Sequence, residues 1–181
     1  VPSTSDDSGL YVILMNITRP VGVTWARQSA LLDSGLYAYV GSARRTLRAR
    51  VERHLRRKKP KKWHVDQLTT HRSVTISGAI LVPQATMTEH ELNMIVGSAV
   101  DGTTPAPRFG AADCRAGCPA HLWRSGQSEG ADQLARLLEV RLPGAVLIVV
   151  PADRVAVMAF ARPKAVSPAP EMASSPRRRP S

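Results

Sequence analysis

Three runs of aliphatic and β-branched residues constrain this chain more than anything else in it: Gly9–Thr18 (GLYVILMNIT), Leu36–Val40 (LYAYV) and Ser73–Val82 (SVTISGAILV). Each has the length and side-chain type of a strand buried in a sheet. Helical segments lie between and after them: Thr46–Arg57, the short Trp63–Thr70, Thr88–Val100 and Asp132–Val140. Thr88 is the expected N-cap of its helix, with Glu91 at the capping-box position. Strands interleaved with helices predict an α/β chain. Turn signals at Arg19–Gly22 and Asp33–Gly35 bracket a further short strand, Val23–Ala30, and residues 101–112 read as loop. Ala145–Val150 and Val155–Phe160 are expected to pair as a terminal hairpin. Residues 1–8 read as a disordered lead, 9–162 as one domain, and 163–181, ending in PRRRPS, as a disordered basic tail.

Charge is concentrated in one place. Residues 44–62, RRTLRARVERHLRRKKPKK, carry eleven Lys or Arg against one Glu, a net +10 of the chain's +11. Such a surface suits a polyanion, most simply nucleic acid, with DNA favoured. Arg45, Arg48, Arg53, Arg56, Arg57, Lys58, Lys59, Lys61 and Lys62 are the candidate contacts; a merely solubilising helix is the plain alternative. The stretch lacks the broad apolar face of an interfacial helix. No apolar run approaches the roughly 18–20 residues of a membrane span, and the start, VPSTSDDSG, reads without signal-peptide features. A membrane partner is not expected. Two cysteines make no disulfide framework, so a reducing cytoplasm is the expected setting.

Aromatic residues are scarce, at 4%, which directs attention to each tyrosine. Tyr11 lies on the first strand, and Tyr37 and Tyr39 on the second, followed by the small residues Gly41, Ser42 and Ala43. On the next helix, about 100° per residue places Leu47, Val51 and Leu55 in one stripe. His54 flanks that stripe and Arg50 lies just beyond it, while Arg45, Arg48, Arg53 and Arg56 point further away. An inward Arg suits a phosphate, because guanidinium binds two oxygens at once. The competing role is a structural Arg that caps a carbonyl or pairs with Asp66. His54, Tyr11 and Tyr39, taken singly, serve equally as packing residues. Glu89 and Glu91 open the Thr88–Val100 helix, where they are either metal ligands or charges favoured by the helix dipole.

These residues resemble the GIY-YIG nuclease superfamily. Gly9–Leu10–Tyr11 resembles the GIY element, Tyr39–Val40–Gly41 the YIG element, and Leu47–Arg48–Ala49–Arg50–Val51 the L-x-x-R-V helix that follows it in the bacterial excision-repair endonuclease and the homing endonucleases. The closer resemblance is to a GIY-YIG-related branch sometimes fused to endonuclease III-like proteins. Four ordered blocks carry it, GLYAYVGSA, LRARVERHLRRKK, WHVDQL and RFGAADCRAGCPAHLW, over roughly residues 9–125. The two triplets lie further apart here than in compact GIY-YIG domains, with an extra segment at about 19–34. The resemblance implies a small, mainly antiparallel central sheet flanked by helices. It also implies metal-assisted phosphodiester hydrolysis, possible roles in DNA repair included. Arg50 would stabilise the phosphate, Tyr11 would accept the water's proton, and Tyr39 and His54 would order it. Glu89, in an E-x-x-L setting, would hold one Mg²⁺ or Mn²⁺, with Glu91 as the fallback.

A second constellation is Asp113–Cys114 to Cys118–Pro–Ala–His121. Thiolates with imidazole are zinc ligands, and His64 of WHVD is the candidate fourth. The C-x₃-C-x₂-H spacing is not that of a standard finger, so buried cysteines and a hydrogen-bonded histidine stabilising a loop are preferred over zinc. Three readings stand: a metal-dependent DNA endonuclease, a nucleic-acid-binding module with little or no hydrolysis, and a zinc-stabilised domain docking an acidic partner.

Overall fold

The computed structural model describes residues 7–126, 130–142 and 144–150. The strand expected at Val155–Phe160, the basic tail and most of the lead fall outside those residues. The elements are β1 (Gly9–Ile17), β2 (Val21–Trp25), β3 (Gln28–Leu32), β4 (Gly35–Ala43), α1 (Leu47–Leu55), α2 (Asp66–Thr69), β5 (Val74–Pro83), α3 (Glu89–Ala99), β6 (Leu122–Arg124), α4 (Ala131–Arg141) and β7 (Val146–Val149). Five strands form an antiparallel sheet in the order β6-β4-β1-β5-β7, and β2 and β3 form a separate hairpin. The fold is α+β, with helices on both sheet faces.

The two-residue period of the strands explains the layering. Tyr11, Ile13, Met15 and Ile17 of β1 enter one core with Leu47 and Val51 of α1, Leu68 of α2 and Phe109. Leu10, Val12 and Leu14 enter the other with Leu92 and Val96 of α3, Leu134 and Leu138 of α4, and Trp123. Buried on both faces, β1 and β5 need the near-continuous apolar runs that mark them in the sequence.

The extra segment between the two Tyr-bearing strands does not part them. β1 and β4 pair directly over nine residues, with Tyr11 opposite Gly41 and Ile13 opposite Tyr39. Both tyrosines therefore stand on the α1 side of the sheet. The segment itself is two strands rather than the single Val23–Ala30 strand expected. The chain reverses at Ala26, which takes a left-handed φ of 48°. Val21, Val23, Trp25 and Leu32 are buried beneath the hairpin.

Two local devices orient the helices that carry the site. Thr46 is left-handed and gives α1 no side-chain cap. Asp7 takes over: its carbonyl accepts from Leu47 N–H (2.8 Å) and its carboxylate from Arg48 N–H (3.3 Å), a favourable charge at a helix start. So the end of the expected disordered lead is hydrogen-bonded to the domain. At α3 the Thr88–Glu91 capping box forms as expected.

Buried Asn93 then fixes α3 from behind. Its amide donates to Ala120 O (2.9 Å) and its carbonyl accepts from Trp123 Nε1 (2.9 Å). Asn93→Ala leaves both partners buried without a hydrogen bond. It should cost about 2–3 kcal/mol, read as a lower urea midpoint; a change below about 0.5 kcal/mol would contradict this account. Among the described residues no helix is long and apolar enough to cross a membrane.

Candidate functional site

β1, β4, α1 and α3 bring four predicted residues to one cavity. Tyr11, Tyr39, Arg50 and Glu89 line a space of about 300 Å³, together with Ser42 and Trp63. Gly41 makes this possible: a Cβ there would overlap the Tyr11 ring, which lies across the β4 backbone. Gly110, at φ +74°, does the same for Tyr39 from the loop, where a Cβ would come within 2.8 Å of the ring. An adjoining space of about 570 Å³ shares Ser42, Arg50 and Glu89 and runs on to Cys114 and His121.

His54 lies beneath this cavity, fully buried. Its Nε2 meets the Tyr11 hydroxyl at 3.1 Å, and its Nδ1 meets Asp66 Oδ1 at 3.2 Å. Burial drives the His54 pKa down to about 4 despite the Asp66 charge. Asp66 titrates below the ordinary carboxylate range: burial opposes this, but the Lys62 and Trp63 backbone N–H groups and Arg53 outweigh it. Near neutral pH, then, Asp66 is an ionised acceptor and His54 a neutral ring. That assigns the proton to Nδ1 and leaves Nε2 to accept from Tyr11. Burial raises the Tyr11 pKa, with the Arg50 charge the main influence against it, and raises that of Tyr39 as well. Both hydroxyls are neutral. Tyr37 is removed from the cavity: its hydroxyl donates to Asp33 O at 2.9 Å.

Arg50 is held at the cavity rim. It donates to Ser42 O (2.8 Å) and its guanidinium carbon lies 5.0 Å from the Trp63 ring centroid. Among the described residues it forms no ion pair. The ion pair with Asp66 falls to Arg53 instead, at 3.0 Å, and Lys59 adds a second cation at 3.7 Å. Two of the expected nucleic-acid contacts are thereby engaged inside the fold. The Lys59 side chain is 3% exposed and that of Arg53 22%, and both turn inward to meet Asp66. Arg57 is exposed but donates to His71 O and Val74 O. Arg45, Arg48, Arg56, Lys58, Lys61 and Lys62 are at the surface.

Glu89 opens α3 with its side chain 32% exposed. It accepts the Ser42 hydroxyl at 2.6 Å and stands 3.3 Å from His121 Nδ1. Burial would raise its pKa, but His121, Ser42 and the Arg50 charge hold it below the usual carboxylate value. Glu91, the fallback, is exposed and its carboxylate is used by the capping box, accepting from Thr88 N–H at 2.7 Å. It does not reach the cavity.

Cys114, Cys118 and His90 cluster beside Glu89, with ligand atoms all within 4.8 Å of one another. His64 is not part of that group; its ring packs 5.6 Å from Phe109 and lines the tyrosine cavity. Burial raises the Cys114 thiol, but Cys118 and the loop N–H groups bring it down to about 6; burial pushes Cys118 up to about 11.

The sequence model of one family, a domain of unknown function designated DUF123, matches residues 10–141 of the 181. The chain belongs to the DUF123 family. No curated protein and no solved structure matches it. In this DUF123 chain the matched span runs from β1 to the end of α4, so it holds both the tyrosine cavity and the Cys/His cluster. Sequence reasoning missed two contributors to the DUF123 site. Asp66 carried a signal only as a partner for Arg50. His90 carried no signal of its own, although it adjoins Glu89 at the start of an expected helix.

Proposed function

We infer that this DUF123 protein is a metal-dependent endonuclease that hydrolyses DNA phosphodiesters. The observation that carries the reading is the convergence of Tyr11, Tyr39, Arg50 and Glu89 on one cavity, beside a surface of exposed cations. The resemblance of Gly9–Tyr11, Tyr39–Gly41 and Leu47–Val51 to GIY-YIG elements supports it.

Glu89 fits one Mg²⁺ or Mn²⁺. It is ionised, partly open to the cavity, and the sole carboxylate needed when water and phosphate complete the shell. The ion, when bound, supplies Lewis-acid polarisation and charge neutralisation at the phosphate. Arg50 is placed to bind non-bridging phosphate oxygens, with its charge held on the rim by Ser42 and Trp63. Tyr11 is too weak an acid to act as a tyrosinate, but it has no need to be one. As its oxygen takes a proton from the attacking water, its own proton passes to His54 Nε2. Asp66 holds His54 in the receiving tautomer and stabilises the cation formed, a logic shared with Ser-His-Asp triads. The water oxygen forms the new P–O bond, the opposite P–O bond breaks, and the leaving oxygen is protonated by solvent. Tyr39 packs beside this path and orders it.

A second reading, a binding module with little hydrolysis, is favoured by the exposed cations alone. One experiment separates the two. Single-stranded, duplex and branched DNA are incubated with the protein and Mg²⁺ or Mn²⁺. Cleavage that needs the ion and vanishes in Glu89→Gln is expected. Binding without cleavage on every substrate would favour the second reading. In either case, replacing Lys58, Lys61 and Lys62 with Gln should flatten the log K against log salt slope by ~2–3, since each phosphate contact contributes ~0.9.

A further inference from the structure

The cluster beside Glu89 has no part in the hydrolytic steps. We propose that it is a zinc site, with His90, Cys114 and Cys118 as three ligands and His121 as the fourth.

The first support is spacing. A tetrahedral zinc lies ~2.3 Å from sulfur and ~2.0 Å from nitrogen, so its ligand atoms stand ~3.3–3.8 Å apart. The three ligand atoms here fall within 4.8 Å of one another, and His90 Nδ1 is 3.1 Å from Cys118 Sγ. No large displacement is needed to bring them round one ion.

The second is His121. It is 2% exposed, yet neither ring nitrogen has a hydrogen-bond partner. Glu89 Oε1 is within ion-pair reach of Nδ1 at 3.3 Å but outside hydrogen-bond geometry. A buried polar atom left unpaired is costly. The ring lines the same space as His90 and Cys114 but stands outside the 4.8 Å group of the other three, so His121 would have to close in as the fourth ligand. Coordination through one nitrogen, with Glu89 facing the other, would give the carboxylate–histidine–zinc arrangement that orients ligating histidines.

The third is donor chemistry. Two thiolates and two imidazoles form a soft set suited to zinc, whereas Mg²⁺ and Mn²⁺ take oxygen. Both cysteines are free thiols. His90 comes from the first turn of α3, and Cys114, Cys118 and His121 come from the loop leading into β6. Zinc would therefore pin that loop to the helix start that carries Glu89.

The test needs no DNA, so its failure leaves the nuclease reading standing, and the reverse holds too. The full chain is purified anaerobically without chelator, and its metal content is measured. About one zinc per chain is expected, kept in His64→Ala and lost at least ~10-fold in Cys114→Ser and in His90→Ala. To make the test independent of how those variants fold, wild-type apo-protein is also titrated with Co²⁺. A thiolate-to-cobalt charge-transfer band, together with protection of both cysteines from alkylation by zinc, is the expected result. The proposal is overturned by less than about a tenth of an equivalent of zinc with equal alkylation in its presence and absence. It is overturned equally by full zinc retention in a folded Cys114→Ser/Cys118→Ser double variant.

Discussion

Asp66→Ala is expected to cost about 3–5 kcal/mol of folding stability, the range for removing one member of a buried charged set. Asp66 is fully buried and accepts from Arg53, His54 and the backbone N–H groups of Lys62 (2.8 Å) and Trp63 (3.0 Å). Lys59, 3% exposed, faces it at 3.7 Å. Alanine leaves that ammonium buried with Thr69 and the His54 carbonyl but no counter-charge. Against a usual total of about 5–15 kcal/mol, the variant would be close to unfolding. Asp66→Asn should fall between, since an amide restores an acceptor but not the charge. A measured loss below about 1 kcal/mol would show that the hub is not structural.

The same hub gives the acid response a defined shape. His54 titrates at about 4 in the fold against 6.5 when free. Between those values the unfolded chain binds a proton that the folded one refuses, so stability falls as pH drops through that window. Asp66 is depressed below 3.8. Its contribution is complete above that value and is lost as pH falls through its lower folded pKa. Urea midpoints from pH 7 downward should therefore decline in two stages, and in Asp66→Asn the lower stage should shrink to the share that the likewise depressed Glu89 contributes.

The second large effect concerns catalysis. On the nuclease reading, Arg50→Ala should lower kcat by ~10²–10³-fold, the loss typical of one preorganised donor at a developing charge. KM should move much less. The fold should tolerate the change, because Arg50 sits on the rim and makes no ion pair among the described residues. Arg50→Lys should recover only part of the rate: an ammonium is a point charge and cannot match two oxygens at once. A rate within about threefold of wild type, or a loss confined to KM, would remove Arg50 from the transition state.

What could be read from sequence divides by the range of the forces involved. β1, β4 and β5 were legible because strands buried on both faces carry long apolar runs, and α3 because Thr88 and Glu91 cap it locally. The β2–β3 turn was not, since Ala26–Arg27 lacks the Gly or Asn that usually marks a left-handed position. β6, three residues long, is too short for any period to show. Within the site, the helical period placed Arg50 and His54 inward. It pointed Arg53 outward, and the chain turned it in to meet Asp66, a partner supplied by tertiary contact. His90 was hidden for the same reason: its neighbour Cys118 lies 28 positions away.

The hairpin between β1 and β4 leaves one practical opening. Its strands cannot be dispensed with, since Trp25 and Leu32 fill the interior and Trp25 Nε1 donates to Pro107 O at 3.1 Å. Its tip is another matter: Ala26 and Arg27 face solvent on the far end of a two-stranded ribbon. Lengthening a loop there adds little closure entropy. A dye, an affinity peptide or a surface tether could be spliced in at that tip, giving a handle for single-molecule work that leaves the tyrosine cavity unmodified.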